Sequence, residues 1–179
     1  MEPQPKSRRV LLCVSGSIAA YKACLVVRGL IKAGAEVRCA VTENAAKLVS
    51  PLTLAALSRA PVWQDMFDPS QWDMAHLSLS SWADRVLVAP ATADIIARMA
   101  EGRAGGPVEA VTLATRAPVA VAPAMDTGMW EHRATQANVE RLKSFGYAIL
   151  GPVHGELASG KVGMGRLIDP EKLVQWALA

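Results

Sequence analysis

Three short segments and one threonine carry the residue types needed to hold a small anionic or planar ligand. Ser15-Gly16-Ser17 follows an apolar run and precedes a helical one. Gly16 lets the backbone approach a ligand, Ser17 offers a hydroxyl, and the first amides of a helix lack partners inside it, so the loop suits an anion such as phosphate. The same residues also read as a tight turn closed by a serine cap. They match neither GxGxxG nor a P-loop, so an ordinary NAD or ATP site is not indicated. Thr42, at the end of the next strand, supplies a second hydroxyl for the same phosphate or a cap for a helix at Asn44. Ala89-Pro90-Ala91-Thr92-Ala93 joins one hydroxyl to side chains small enough for a flat ring to lie near the backbone, or simply to pack. Met125 and Met129 line a ring pocket or belong to the core.

The acid–base candidates are fewer. His76-Leu77-Ser78-Leu79 alternates, so His76 and Ser78 are expected to share a face; His76 is a general base or a structural residue. His132 and His154 fall in loops without an evident partner. Asp126, just past a strand end, is a buried acid or a helix N-cap. Serine, histidine and aspartate are all present, but no GxSxG elbow supports a hydrolase.

The elements that would position these residues follow from the apolar pattern. Val10–Val14 is a strand buried on both faces, Ile18 to Ile31 repeats at helical spacing, Gly34 stops it, and Glu36–Thr42 alternates as a second strand. Strand, turn, helix and strand make a βαβ unit and so a parallel sheet. Ser50-Pro51 opens a short helix through Leu57. A strand at Arg85–Ala89 exits through Pro90-Ala91-Thr92 into a helix from Ala93 to about Glu101. Val119–Ala122 is a strand ending at Pro123. A helix near Thr135–Phe145 carries Val139, Leu142 and Phe145 on one stripe, Tyr147–Leu150 is a strand, and Pro170 starts a terminal helix. Gly151–Gly165 is expected to be irregular because of its glycines. Residues 64–75 read as an irregular insertion whose rings (with Trp63, Phe67 and Trp72) want a partner surface. The fold class is α/β: a single Rossmann-like (flavodoxin-like) domain over residues 10–179 with a parallel doubly wound sheet, preceded by a polar tail, residues 1–9.

Composition agrees. At 179 residues, 51% hydrophobic and 20% charged, the chain can fill one core. Its net charge is +3, of which the tail (Lys6, Arg8 and Arg9 against Glu2) holds +2, leaving a body near +1 without a nucleic-acid footprint. No apolar run approaches the roughly 20 residues that cross a bilayer, and the polar N-terminus lacks a signal-peptide core. Cys13, Cys24 and Cys39 form no CxxC pair, so no disulfide framework or metal site is expected, and a reduced cytoplasmic setting is the simplest account.

Taken in order, Gly16-Ser17-Ile18-Ala19-Ala20-Tyr21-Lys22, His76, Ala89-Pro90-Ala91-Thr92-Ala93-Asp94, Pro123-Ala124-Met125-Asp126-Thr127-Gly128-Met129-Trp130 and Gly160-Lys161-Val162-Gly163-Met164-Gly165-Arg166 resemble the flavin-dependent cysteine decarboxylases, most closely the phosphopantothenoylcysteine decarboxylases of coenzyme A biosynthesis. The resemblance runs from about Arg9 to Ala179. It implies an FMN-binding subunit in a homotrimer or a dodecamer of trimers, with the flavin between protomers. Gly16, Ser17, Ile18 and Thr42 would hold the phosphate and ribityl chain, and Ala91, Thr92, Ala93 and Met125 would flank the ring. His76 aligns with the catalytic histidine, and Gly151–Arg166 with a flap that closes over the substrate. The implied reaction oxidises the thiol-bearing carbon of a cysteine to a thioaldehyde, whose sulfur takes the electrons released as CO2 leaves, giving an enethiol.

Three positions depart from the family pattern. Asp126 stands where the family has Asn; an ionised carboxylate accepts hydrogen bonds only and repels a substrate carboxylate. Ser159 replaces a flap cysteine that helps reduce the enethiol, and a hydroxyl has no thiol redox chemistry. Ala104-Gly105-Gly106-Pro107 replaces Ala-Asn-Asp-Leu. The synthetase domain usually fused behind the decarboxylase is not expected within these 179 residues. The main expectation is an FMN-dependent carbon–carbon lyase with catalytic positions His76, Asp126 and Ser159, acting on a small molecule that carries a cysteine carboxylate. The alternatives are a peptidyl-cysteine decarboxylase, which needs no flap cysteine, and a non-catalytic FMN-binding paralogue. Prenyl-transferring flavoproteins of the same fold are disfavoured by the Pro-Ala-Met-Asp segment.

Overall fold

A computed structural model describes residues 7–68 and 74–179. The chain runs β1 (Arg9–Val14), a 3-10 helix (Ile18–Lys22), α1 (Ala23–Lys32), β2 (Glu36–Val41), α2 (Glu43–Ala46), α3 (Pro51–Ser58), β3 (Val62–Trp63), α4 (Ala75–Trp82), β4 (Arg85–Ala91), α5 (Ala93–Ala100), α6 (Pro107–Ala114), β5 (Val119–Pro123), α7 (Thr127–Glu131), α8 (Arg133–Ser144), β6 (Ala148–Ile149), β7 (Val153–Glu156), β8 (Val162–Arg166) and α9 (Pro170–Leu178). Strands one to six form a parallel sheet in the order β3-β2-β1-β4-β5-β6, so the chain winds outward from β1 and then switches to its other side at β4.

Both faces of that sheet are covered, which is why its strands read as apolar runs. Side chains alternate across β1: Val10, Leu12 and Val14 enter the core under α1, α3 and α9, while Leu11 and Cys13 enter the core under α4, α5, α6 and α8. The doubly wound α/β architecture expected from the sequence is the one found.

Several local expectations are overturned. The segment around His76 is a helix, α4, not an alternating strand. Ser78 and Ser80 return their hydroxyls to the carbonyls of Ala75 and Leu77, so a serine-rich turn can be buried as helix. His76 and Ser78, two residues apart, therefore point about 200° apart around the axis and do not share a face. The glycine-rich segment is regular: β7 and β8 form an antiparallel hairpin. β4 runs on through Pro90 and Ala91, beyond the expected exit turn, because a register shift between Val88 and Ala91 accommodates a proline that has no N–H to give. Phe145 caps α8 and is more than half exposed, edge-on to Tyr147, so it leaves the Val139–Leu142 stripe. In the expected irregular insertion, Trp63 is buried at the sheet edge, Phe67 is 89% exposed, and Trp72 lies outside the described residues. Most of the polar tail lies outside them too, and Arg9 is already the first residue of β1.

Candidate active site

The carboxyl ends of β1, β4 and β5 meet in a cleft of about 780 Å³, at the point where the strand order reverses. Its floor is tied together by Ser15. The buried Ser15 hydroxyl donates to the carbonyl of Pro90 (2.8 Å) and accepts from the amide of Thr92 (2.9 Å), joining the ends of β1 and β4. Ser17 caps the 3-10 helix through its acceptance from Ala19 N and donates to the carbonyl of Ala124 (3.1 Å), which brings in the end of β5. The amides of Gly16 and Ile18 meet no acceptor among the described residues and stand at the helix start. Gly16 itself is required by packing: a Cβ there would lie 2.5 Å from Asn44 Cβ.

Eight expected site residues line this cleft together: Gly16, Ser17, Ile18, Thr92, Ala93, Met125, Asp126 and Ser159. Three do not. Thr42 is beside it, spent as the N-cap of α2 by accepting from Ala45 N (3.1 Å), although the close approach of Gly16 to Asn44 keeps it next to the loop. Ala91 is fully buried under the floor, where its carbonyl accepts from Ala124 N. His76 lies on α4, stacked at 6.4 Å on Trp63, away from its own chain's cleft. Met129 lines the cleft and is half exposed, so it is not a core methionine.

The β7–β8 hairpin forms the cleft's remaining wall. Its base is fixed by Met125 N donating to Gly165 O (3.0 Å) and by two glycines against the β5 exit: a Cβ at Gly163 would strike Thr127, and one at Gly165 would strike the carbonyl of Met125. Its tip is a turn closed by Gly160 N on Leu157 O, with Leu157 buried against the cleft. Ser159, at that tip, donates to Asp126 Oδ2 (3.1 Å), while Gly128 N donates to Asp126 Oδ1 (3.1 Å) as the cap of α7. Two of the three positions expected to depart from the family pattern, Asp126 and Ser159, therefore touch each other. Asp126 is both the N-cap of α7 and the side chain that meets the hairpin tip, with both oxygens accepting.

No cysteine lines the cleft. Cys13 and Cys39 are buried in β1 and β2 and face the cores on opposite sides of the sheet, where desolvation pushes both thiols up, Cys39 to about 12. Among the described residues no group of His, Cys, Asp and Glu is arranged to hold a metal ion, and no helix is long and apolar enough to cross a membrane. Residues that sequence reasoning left without a role are Ser15, Lys22 and Arg166. The last two sit inside the quoted segments, but nothing in their spacing shows that both line one cleft.

A flavoprotein family model matches residues 2–179, essentially the whole length. The chain belongs to the flavoprotein family. It is 46% identical over 174 residues to the coenzyme A biosynthesis bifunctional protein CoaBC of Bacillus subtilis (strain 168), covering 96% of this chain and 42% of that protein. The flavoprotein chain thus spans about two fifths of the length of the curated relatives it matches. Among solved structures it superposes on a PPC decarboxylase complexed with pantothenoylaminoethenethiol, with a TM-score of 0.85, 28% identity and 96% coverage of both chains. It also superposes on the FMN-dependent cysteine decarboxylase SpaF, with a TM-score of 0.83 and 31% identity, covering 96% of this chain and 95% of that one.

Proposed function

We propose that this flavoprotein is a cytoplasmic FMN-dependent decarboxylase that acts on the cysteine carboxylate of phosphopantothenoylcysteine. The observation that carries the reading is the cleft itself: free loop amides at one end, small residues with Met125 in the middle, and a docked flap above. That donor set fits FMN. The amides of Gly16 and Ile18, with Ser17, suit a phosphate, and Gly16, Thr92, Ala93 and Met125 leave a flat apolar slot for a ring.

When bound, FMN supplies the oxidant for the thiol-bearing carbon. The chain's own residues bind, orient and shield. The turn at Leu157–Gly160 keeps water from the reacting centre. Asp126 faces the substrate with acceptors only, so it gives no hydrogen bond to the carboxylate that leaves and disfavours its charge. His76 takes the thiol proton in a neighbouring cleft, supplied from one protomer to its partner. The supporting observations are its absence from the lining of its own cleft and an apolar line, Ile18, Tyr21 and Leu25, more than half exposed and running on from the cleft edge. A homotrimer, or a dodecamer of trimers, is the assembly this reading implies.

The test is anaerobic mixing of the purified protein with phosphopantothenoylcysteine, with a cysteine-ended peptide in parallel. Bleaching of the flavin band with release of CO2 is expected for the first substrate. Yellow protein that does neither with either substrate overturns the enzymatic reading, and a protein that takes up no FMN overturns the cofactor as well.

A further inference from the structure

β3 is only two residues long, and its second residue is a large buried ring. Trp63 pairs with Ala40 of β2 at the sheet edge and is 3% exposed. Ala75 and Leu79, one turn apart on α4, are buried in the same core cluster, so α4 turns that face toward the sheet edge. The indole N–H donates to the carbonyl of Asp65 (2.8 Å), and the Asp65 carboxylate accepts from Phe67 N (2.8 Å), which closes a tight turn directly behind the strand. Burial and a hydrogen bond at its edge therefore hold the indole in one orientation. His76 lies against this fixed ring, with centroids 6.4 Å apart and planes 24° from parallel, the geometry of an offset stack. His76 is half-buried, and neither of its ring nitrogens has a hydrogen bond or ion pair with a described residue.

The second torsion of a histidine is broad, so the backbone alone leaves the direction of its nitrogens open. A base that takes a proton must keep one nitrogen within hydrogen-bond reach of it, and such bases are commonly oriented by a third group bonded to the other nitrogen. Among the described residues no carboxylate or carbonyl does this for His76, and the directed contact it makes is with the indole face. We propose that Trp63 is the positioning residue for His76. The indole sets the plane of the imidazole and leaves both nitrogens unengaged, so the unprotonated one is available to the thiol of a substrate in the neighbouring cleft. The placement rests on the stack, and the identity of the proton taken rests on the decarboxylase reading.

The test compares Trp63→Phe with Trp63→Leu in the FMN-loaded protein. Both remove the bond to Asp65 and leave space in the core, so they share the structural cost, and only Leu removes the aromatic face. Trp63→Leu should lower kcat for the cysteine-carboxylate substrate about tenfold with KM and FMN content unchanged, whereas Trp63→Phe should stay within about threefold of the wild type. In NMR spectra the His76 ring protons, assigned by their loss in His76→Gln, should show nuclear Overhauser contacts to the indole in the wild type and to the phenyl ring in Trp63→Phe. Equal kcat in the two Trp63 variants overturns the proposal. So does the absence of the Overhauser contact in the wild type, a measurement that decides the matter even where Trp63→Leu does not fold. A wild type that releases no CO2 from any cysteine derivative removes the decarboxylase reading and this role with it, while wild-type turnover that Trp63→Leu leaves unchanged removes this role alone.

Discussion

Asp126 and Ser159 are each unusual alone and intelligible together. An Asn at 126 keeps the cap, because its oxygen still accepts from Gly128 N, and its nitrogen can donate to the Ser159 hydroxyl. Asp126→Asn should therefore change the melting temperature by no more than about 2 °C, while lowering KM for the cysteine-carboxylate substrate by removing a like charge; an unchanged or raised KM would show that the carboxylate has a positive role. Ser159→Ala removes the side-chain donor that ties the hairpin tip to Asp126. Because the pair is exposed, global stability should move by less than about 0.5 kcal/mol. Amide hydrogens of residues 157–161 should nevertheless exchange faster, as followed by mass spectrometry. At this scale the sequence was informative about residue types and silent about partners. Asp126 was readable as a cap from its place after a strand, whereas its bond to a serine 33 positions later depends on a hairpin that brings the two together.

The hairpin is the element whose nature was hardest to read. Glycines that argue against regular structure locally are here the points of closest approach to another element. Gly165 has φ +136°, and its Cβ would meet the carbonyl of Met125. Gly165→Ala should cost about 2 kcal/mol or more, lowering the melting temperature by roughly 4–8 °C in a chain of this size; no change would mean the hairpin undocks freely. The same logic explains part of the Ala104–Pro107 departure. Gly106 is the N-cap of α6, and a Cβ there would lie 2.8 Å from Glu109 Oε2, so a buried glutamate fills the space that a side chain at 106 would need. β1, β2, β4 and β5 were legible because strands buried on both faces have little freedom in composition. α4 was not, since its alternating Leu and Ser mimic a strand until the serine hydroxyls find carbonyls one turn back.

For the whole molecule, the doubly wound sheet and its crevice followed from the βαβ pattern, and the loops named from sequence are the ones that meet there. What could not follow is whether copies meet through the exposed apolar line, because such a line has no signature distinct from ordinary surface. Leu25→Asp, on that line and half exposed, should leave folding intact. It should also shift the sedimentation coefficient toward that of a monomer and reduce FMN retention; an unchanged assembly would place the interface elsewhere. Ser15 bears on how such a site is entered. One buried hydroxyl fastens two strand ends, so the rigidity of this crevice is established when the chain folds. A ligand then meets a mould that is already set, and the entropy of arranging it is not charged against binding.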